Sequence, residues 1–535
     1  MSYPRPSPGP SPTPRDSSCR EDKLQLIAER VLKTASDFFS DEDKARMIKL
    51  CQSFADVFAT GRHELGRAKN LLIDVELKEG AKPVRQPPRK FRLDVREEIE
   101  AEVQELLRLG LIRDASSEWA APVVPVRKPD KSLRLCADYR GANSQIKDVS
   151  SSLALPDPWQ TLEDIASKKP VGLVSCDLLT AFAQAGLTER AQQILTFIVD
   201  SGTYAPVVAP YGLKTLPGLW NIFVRRVAAN AGLSCGELKV FCDDLLFGFQ
   251  SVDEALEKFA RVLGSMRGEG LTLKLSKLCV LQRTLQALGY EYHAGSQKVT
   301  ATEDRIKALL DFPTPKTKKG IRSWCGSIGW LRKMLPKLSL LTAPLTKLTG
   351  EGSRFQWGEE QQESFDAVKR IIAQGPYVVL PGPEDKLRIK CDASVLGWSA
   401  ALESEVVPGT WAPACVISKQ WSGAGTHGAH LGSTEAEARA ALAALRALRV
   451  YIYGRKSPTE LITDHAALSQ LVRCKSPKTQ TLAKLALEID DCNVKVVWKP
   501  GKYQEEEGQD GCSRFPVGVN FQDDEVGRER VINSP

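Results

Sequence analysis

Hydrophobic residues at strand and helix spacing divide the chain into two successive regions of mixed structure. From about residue 150 to residue 295, strand and helix patterns mix, which is typical of an α+β domain. From about residue 384 the predicted order is strand, strand, a long alanine-rich helix, strand, helix and strand, which indicates a second α/β unit. Between these regions Thr302 and Thr317 each precede a helical pattern, and we expect two helices to begin there.

A well-delimited helix pattern comes before the first region. Asp94 can cap its N-terminus, with Glu97 three residues later, and Gly110 ends it. Its apolar stripe consists of Ile99, Val103, Leu106 and Leu107. Residues 119–137 then alternate between apolar and polar positions around a polar break at residues 129–132, so they predict two strands joined by a hairpin turn.

Carboxylates occupy the ends of predicted strands in the first region. Asp243 and Asp244 lie between the apolar stretches 238–241 and 245–249, a pattern that predicts a β-hairpin with acidic residues at its turn. An apolar strand pattern upstream ends at Asp177. Carboxylates brought to one point repel each other unless a cation lies between them, and Mg²⁺ is the usual one. The pattern therefore indicates a two-metal phosphoryl-transfer site, with an ordinary acidic turn as the alternative.

The second region carries its own acidic set. A predicted strand bears Asp392, the alanine-rich helix bears Glu437, and another strand ends at Asp464. Asp510 lies in a late loop or helix. This order of carboxylates is compatible with a pair of divalent ions that cleave a phosphodiester bond.

Three of these four acidic residues have a simpler explanation. Glu437 lies three residues after Thr434 and can complete a capping box, and Glu435 can be the ligand in its place. Asp464 can cap the helix that follows it. Asp510 belongs to an acidic stretch of the kind that is usually just solvated.

Composition limits the classes of protein that remain. A chain of 535 residues is too long for one core, so two to four domains are expected. The net charge of +7 allows a nucleic-acid partner without requiring one. The 13 cysteines form no CxxC pair, which favours reduced thiols and an intracellular, cytoplasmic or nuclear protein that is not secreted. No apolar stretch approaches 18 residues, so we expect no membrane partner.

Short motifs occur in a fixed order along the chain. In the first region they are DYRGAN at 138–143, CDLLTAF at 176–182, PYGL at 210–213, FCDD at 241–244 and LGY at 288–290. Further along they are APLTKL at 343–348, CDAS at 391–394, TDHAAL at 463–468 and DGCSR at 510–514. From about residue 48 to residue 516, this series resembles the reverse transcriptase and RNase H portion of a gypsy-type LTR retrotransposon polyprotein.

The resemblance implies an α+β multidomain fold. We expect a right-hand polymerase with fingers, palm and thumb, a helical connection and a C-terminal RNase H-like α/β domain. The implied division is a disordered Pro/Ser-rich tail (1–20), a helical and extended lead-in (21–93), fingers and palm (94–252), a thumb-side region (253–300), the connection (301–380), the RNase H-like domain (381–518) and a polar tail (519–535).

The resemblance also implies an activity, RNA-directed DNA polymerase with RNase H. Two Mg²⁺ ions per active site are expected, and Mn²⁺ can replace them. The implied catalytic and metal-binding residues are Asp177, Asp243 and Asp244 for the polymerase and Asp392, Glu437, Asp464 and Asp510 for RNase H. The implied partners are an RNA template, a DNA primer, RNA–DNA hybrids and dNTPs, in a dimer or a larger polyprotein.

The family pattern assigns the deoxynucleotide to a further set of residues. Phe182 falls at the position of an aromatic sugar gate that selects deoxynucleotides, and a packed core phenylalanine is the alternative. The other expected residues are Arg127, Lys128, Arg134, Tyr211 and Gly212. Cations there would stabilise transferred phosphoryl charge, whereas plain surface charges are the alternative.

Several positions depart from the family pattern. Ala183 stands where a histidine is usual, and residues 214–221 read KTLPGLWN, so the usual aromatic–Gln pair is lost. These departures motivate a second hypothesis, a catalytically weak remnant that still binds nucleic acid. A third hypothesis gives the Pro-rich tail an interaction role through polyproline recognition.

Overall fold

The computed structural model divides into two compact units. The first unit comprises Met1–Thr161 and Pro170–Arg283, and the second comprises Leu162–Lys169 and Thr284–Pro535. The structure describes residues 17–127, 132–147, 157–234, 236–241, 243–287, 289–394, 396–421, 433–464, 487–489, 492 and 494–499. The seven-part division expected from the sequence is finer than these two units and stays a prediction.

Helices of the first unit surround its sheets. They are α1 (Ser17–Thr34), α2 (Asp41–Ser53), α3 (Leu93–Arg108), α4 (Arg140–Gln145), α5 (Pro158–Ala166), α6 (Glu189–Ile194), α7 (Leu216–Asn230) and α8 (Val252–Glu269). The later part of α5 belongs to the second unit. Because α1 begins at Ser17, the tail predicted to extend to residue 20 is too long at its C-terminal end.

The predicted helix with the apolar stripe is α3. Ile99 and Val103 are buried, and Gly110 has φ +64° just beyond the helix end, as predicted. The predicted cap is wrong, since Arg92 is the N-cap residue and Asp94 lies inside the first turn. There its charge still favours the positive end of the helix dipole.

Strands of the first unit form two larger sheets and two short pairs. In chain order they are β1 (Phe58–Ala59), β2 (Leu72–Ile73), β3 (Ile112–Asp114), β4 (Ala121–Arg127), β5 (Leu133–Ala137), β6 (Gly172–Asp177), β7 (Gly186–Leu187), β8 (Phe197–Val199), β9 (Gly202–Pro206), β10 (Lys239–Phe241), β11 (Asp244–Phe249), β12 (Leu273–Lys274) and β13 (Cys279–Gln282). One sheet has the order β3-β9-β8-β4-β5 and another has the order β10-β11-β6-β13. The antiparallel pairs β4–β5 and β10–β11 confirm the two predicted hairpins.

The sheet β10-β11-β6-β13 lies in the main core of this unit. Leu173, Val174 and Cys176 of β6 are buried, as are Leu245 and Phe247 of β11. Strands buried in this way read as continuous apolar runs, which is the pattern that the sequence shows before each acidic residue. The core therefore fixes the direction and register of both strands that end in carboxylates.

Helices of the second unit include the two that the threonines predicted. They are α9 (Glu303–Leu310), α10 (Lys318–Gly329), α11 (Leu338–Leu341), α12 (Ala343–Lys347), α13 (Glu359–Ala373), α14 (Ser433–Ala447) and α15 (Arg449–Ile452). Thr302 occupies the N-cap position of α9 without a side-chain capping hydrogen bond, whereas Thr317 caps α10 by accepting a hydrogen bond from the Gly320 N–H. In the described part of the chain, no helix is both long and apolar enough to cross a membrane.

Strands of the second unit form two sheets. In chain order they are β14 (Thr284–Ala287), β15 (Tyr290–His293), β16 (Lys298–Ala301), β17 (Tyr377–Val379), β18 (Leu387–Ala393), β19 (Gly397–Val407), β20 (Thr410–Gln420), β21 (Thr459–Thr463) and β22 (Val494–Trp498). The first sheet is β14-β15-β16-β17, and the second is β20-β19-β18-β21-β22. In the second, β18, β19 and β20 pair antiparallel, whereas β21 runs parallel to β18 and to β22.

The α/β sheet differs from its prediction by one strand. Three strands, β18 to β20, come before the long helix, where the sequence predicted two. Gly409, with φ +83°, turns β19 into β20, and this turn is too short to interrupt the apolar pattern. Small buried residues of α14, among them Ala438 and Ala441, then pack in the same core as Ile389 of β18.

Candidate active sites

The first acidic site lies at one end of the pair β6–β11. Asp177 is the last residue of β6, Asp244 is the first of β11, and the antiparallel register sets them directly opposite each other. The Leu178 N–H donates a hydrogen bond of 2.9 Å to the carbonyl oxygen of Asp243. Because the ladder fixes all three positions, the structure brings these carboxylates together.

These carboxylates are electrostatically strained without a cation. Burial raises the pKa of Asp244, and a hydrogen bond with Asp177 and the Asp177 charge raise it further. Burial also raises the pKa of Asp243. The Lys277 ammonium forms an ion pair with the Asp177 carboxylate. Without a metal ion, the protonated form of Asp244 is therefore favoured beside the Asp177 carboxylate, whose charge Lys277 partly neutralises.

Aromatic rings adjoin this acidic site. The Phe182 ring centroid lies 5.5 Å from that of Tyr211 and 6.1 Å from that of Trp220. The Arg134 guanidinium lies 5.1 Å from the Tyr211 ring centroid, and its charge also lowers the pKa of Asp243. Trp220 is fully buried, so the segment that departs from the family pattern keeps a ring behind Phe182.

The loop that carries Gly212 is tied to the DYRGAN motif. Gly212 has φ +97°, a conformation that favours glycine. The Asn143 side-chain amide donates to the Gly212 carbonyl oxygen at 2.8 Å, and the Lys214 N–H donates to the Asn143 side-chain oxygen at 3.1 Å. Two motifs far apart in the sequence thus hold each other in place.

The structure does not bring Arg127 to this site. In the β4–β5 hairpin Val126 lies opposite Arg134, whereas Arg127 lies opposite Leu133. Since adjacent residues of a strand face opposite sides, Arg127 and Arg134 point apart. Arg127 instead donates to Glu98 of α3 at 2.8 Å. Its role in nucleotide binding stays a prediction, and Lys128 lies outside the described residues.

The second acidic site is built on β18, β21 and α14. Lys390 of β18 pairs in parallel register with Ile462 of β21, so Asp392 and Asp464 each lie two residues further along. Burial and the charges of Asp392 and Asp464 raise the pKa of Glu437 to about 7. The Ala393 N–H donates to the Glu437 carboxylate, and the Oε2 atom of Glu437 is buried without a hydrogen-bond partner.

The choice between the two helix glutamates follows from these contacts. Glu435 forms an ion pair with Arg439 at 2.7 Å on the surface of α14. Glu437 turns inward to Asp392 and Asp464, so the structure brings Glu437 and not Glu435 to the site. Asp510 lies outside the described residues.

Sequence reasoning missed three residues that the structure places at these sites. Lys277 contacts Asp177, Lys337 Nζ lies 3.4 Å from Asp392 Oδ2, and Trp220 lies behind Phe182. Lys277 and Lys337 are separated from their partners by 100 and 55 positions, so no local pattern could reveal them. In residues 214–221, where the aromatic–Gln pair of the family is lost, Trp220 directly precedes Asn221. This aromatic–amide pair was the sequence signal that could have pointed to Trp220.

Both sites have donors that suit a hard divalent cation. Among the described residues no three Asp, Glu, His or Cys side chains are already arranged to hold a metal ion. Even so, carboxylate oxygens are the ligands that Mg²⁺ prefers. The raised pKa of Asp244 and the unpartnered Oε2 of Glu437 are both features that a bound cation would relieve.

Family models match both parts of the chain. Residues 126–292 match the model described as reverse transcriptase (RNA-dependent DNA polymerase). Residues 357–459 match the model described as an RNase H-like domain found in reverse transcriptase. Each match contains acidic residues of one site.

Curated relatives are transposon polyproteins. The Transposon Tf2-3 polyprotein of Schizosaccharomyces pombe is 25% identical over 460 residues, which are 84% of this chain and 33% of the relative. The chain thus spans about a third of the length of the curated relatives it matches.

Solved structures share the fold of this chain. The foamy viral protease-reverse transcriptase in complex with double-stranded DNA has a TM-score of 0.71 at 18% identity, over 89% of this chain and 97% of that chain. A second structure of that protein with double-stranded DNA has a TM-score of 0.72 at 19% identity, over 92% and 84%. The predicted fold class is confirmed. The chain carries a reverse transcriptase domain and an RNase H-like domain of the kind found in reverse transcriptases, and it is homologous to the Tf2 retrotransposon polyproteins.

Proposed function

We propose that the protein is an RNA-directed DNA polymerase with RNase H activity and that both reactions use two divalent metal ions. The observation that carries this proposal is the register of β6 and β11, which sets Asp177 opposite Asp244 with Asp243 beside them. Buried strands place these charges together at a cost in repulsion, and a metal-dependent reaction explains that arrangement.

At the polymerase site, Asp177, Asp243 and Asp244 hold the cations. Bound Mg²⁺ supplies Lewis-acid activation of the primer 3′-hydroxyl and neutralises charge on the triphosphate. Arg134 offers a further cation to the triphosphate, from its position over Tyr211. The ring of Phe182, backed by Tyr211 and Trp220, excludes a 2′-hydroxyl and so selects deoxynucleotides.

At the RNase H-like site, Asp392, Glu437 and Asp464 hold the cations, with Asp510 as the fourth expected ligand. The raised pKa of Glu437 reflects its burial first and then the charges of the other two carboxylates around it. The proposed substrate is the RNA strand of an RNA–DNA hybrid, and the proposed polymerase substrates are dNTPs on a primed RNA or DNA template.

A second candidate function is a catalytically weak remnant that binds nucleic acid. Residues 214–221, which depart from the family pattern, are the observation that favours it. The buried Trp220 ring within this segment argues that its packing role is kept. The predicted intracellular location and the interaction role of the Pro-rich tail stay predictions.

The proposal is tested by two charge-neutralising variants in one chain. Asp243→Asn is expected to reduce primer extension on an RNA template by roughly 1,000-fold or more, while cleavage of an RNA–DNA hybrid continues. Asp392→Asn is expected to do the reverse, so each variant serves as the control for the other.

The remaining outcomes separate the candidates. Hybrid binding without extension or cleavage by the wild-type protein, in Mg²⁺ and in Mn²⁺, would support the remnant. Loss of both activities in either single variant would show that the two sites do not act separately.

A further inference from the structure

A lysine from the segment between α10 and α11 reaches the RNase H-like site. Lys337 Nζ lies 3.4 Å from Asp392 Oδ2, and both side chains are partly exposed. Its backbone has φ +51°, in the left-handed region that glycine and asparagine occupy most easily. A lysine in this conformation costs on the order of 1 kcal/mol. The stabilisation from a partly exposed ion pair is about equal to this cost or smaller, so stability alone does not account for a lysine at position 337.

The neighbouring residues of Lys337 are fixed to the sheet. The Ser339 N–H donates to the Ser418 hydroxyl at 2.9 Å, and the Ser339 hydroxyl donates to the Ser418 carbonyl oxygen at 2.7 Å. The Gln420 side-chain amide donates to the Ser339 carbonyl oxygen at 2.8 Å. The start of α11 is therefore docked on β20 and holds Lys337 in position.

The sheet register explains why this docking brings Lys337 to Asp392. Asp392, Ser399 and Ser418 lie directly opposite one another on β18, β19 and β20. Cross-strand neighbours share a face of the sheet, so Asp392 shares the face on which Ser418 receives α11. Ser399, between them, is buried, and its hydroxyl has no hydrogen-bond partner among the described residues.

A groove with two further cations adjoins this segment. Its volume is about 350 Å³, and its lining includes Arg332, Ser339, Lys419 and Gln420. Arg332 and Lys419 are exposed, and within the described ranges neither pairs with an acidic group. Together with Lys337 they make one positively charged edge beside the acidic site.

We propose that this edge binds the phosphate backbone of the RNA–DNA hybrid and that Lys337 positions the RNA strand over Asp392. The inference rests on the RNase H activity proposed above. Lysine and arginine bind phosphates as charges without reading sequence, which suits a cleavage site that must accept any hybrid. A carboxylate engaged by a metal ion attracts Lys337 less strongly, which leaves its ammonium group available to a phosphate.

The first test measures binding without catalysis. We would measure the affinity of the whole protein for an RNA–DNA hybrid in EDTA across a salt series, for the wild-type protein, Lys337→Asn and Lys337→Arg. Asparagine removes the charge and accepts the left-handed conformation, so Lys337→Asn should fold at least as well as wild type. Its plot of log affinity against log salt is expected to lose roughly 0.7–0.9 of slope, the value of one phosphate contact. Lys337→Arg should keep the slope.

Lys386→Asn is the matched control. Lys386 pairs with Glu405 at 3.1 Å and directly precedes β18. Lys386→Asn therefore removes the same charge as Lys337→Asn, but at the opposite end of the strand from Asp392. Lys386 and Asp392 are six residues apart, which corresponds to roughly 20 Å along an extended strand. This variant is expected to bind with the wild-type slope.

The second test is the rate of hybrid cleavage in Mg²⁺. Lys337→Asn is expected to raise KM for the hybrid about tenfold with a smaller change in kcat, because a phosphate contact is made in the ground state as well. If wild type cleaves and Lys337→Asn matches Lys386→Asn in slope and KM, the proposal is overturned. If wild type fails to cleave, the proposed function fails, and the slopes in EDTA still decide whether Lys337 contacts the hybrid.

Discussion

The two acidic sites have a similar arrangement of charged residues but differ in how strongly the fold fixes the positions of their carboxylates. Each joins a strand carboxylate to a lysine from a distant segment, Asp177 to Lys277 and Asp392 to Lys337. The Asp177 side chain is only 14% exposed, whereas that of Asp392 is 52% exposed. The polymerase carboxylates come from the antiparallel pair β6–β11 and the turn before β11, while the RNase H-like ones come from the ends of the parallel pair β18–β21 and from the helix α14.

This difference has an energetic consequence. A ladder between β6 and β11 leaves Asp177 and Asp244 no freedom to move apart, so their repulsion is built into the folded state. Among the described residues of the second site, Glu437 has a buried oxygen without a hydrogen-bond partner, and Asp464 is exposed. We infer that most of the repulsion between the polymerase carboxylates is already present in the folded protein. At the RNase H-like site, more of the repulsion arises when the carboxylates come together around the cations.

The largest effect is expected for Phe182, which belongs to the polymerase site alone. Phe182→Val removes the ring that contacts Tyr211 and Trp220. Opening this space should lower the preference for dNTPs over ribonucleotides on the order of 100-fold. The measurement is kcat/KM for one dNTP and its ribonucleotide in primer extension.

Hybrid cleavage provides the control for this variant. It should continue at the wild-type rate in Phe182→Val, because Phe182 belongs to the first unit and the RNase H-like carboxylates to the second. A variant that keeps full sugar discrimination would assign Phe182 to core packing, which is the alternative expected from the sequence.

An intermediate effect is expected for the stability of the metal-free protein. The folded-state pKa of Asp244 is raised, so wild type loses stability as pH rises from about 4 through that raised value. Asp244→Asn removes the repelling charge and should stabilise the first unit by about 1 kcal/mol at pH 8, and by less at pH 5. Thermal unfolding in EDTA at the two pH values measures this difference.

Asp464→Asn tests whether the second site differs. Asp464 is exposed, so its variant should unfold within about 0.5 kcal/mol of wild type at both pH values. Added Mg²⁺ should raise the unfolding temperature of wild type more than that of Asp244→Asn. Equal stabilisation by Asp244→Asn and Asp464→Asn would remove the distinction between a preset and an open site.

What the sequence predicted well is local. The hairpin at Asp243 and the strand that ends at Asp177 follow from apolar runs that stop at acidic residues, and the core enforces both patterns. The helix starts at Thr302 and Thr317 were also predicted, because a cap acts within one turn.

What the sequence missed depends on contacts between distant segments. Arg127 was assigned to the nucleotide as a cation that could stabilise phosphoryl charge, but the hairpin register places it beside Glu98 and on the opposite side from Arg134. Lys277 and Lys337 reach their carboxylates only after sheets and helices have packed. The extra strand was missed because a tight turn at Gly409 leaves no gap in the hydrophobic pattern. Register and packing, rather than propensity, decide such positions.

The smallest effect on stability is expected for variants of the two glutamates of α14, which lie two residues apart. Glu437 has its pKa raised to about 7 by burial and by the charges of Asp392 and Asp464, so metal-free wild type loses stability as pH rises from about 4.5 to 7. Glu437→Gln cannot ionise, so it does not lose stability in this way. It also places an amide group where Oε2 has no hydrogen-bond partner, and this offsets much of the gain in stability.

The expected result is a stabilisation by Glu437→Gln of less than about 1 kcal/mol at pH 8 that disappears at pH 5. Glu435→Gln is the matched control, because it removes only the surface pair with Arg439, worth about 0.3–0.5 kcal/mol at either pH. Hybrid cleavage should be lost in Glu437→Gln and kept in Glu435→Gln. A pH-independent difference in stability, or cleavage that depends on Glu435, would show that α14 presents a different carboxylate to the site.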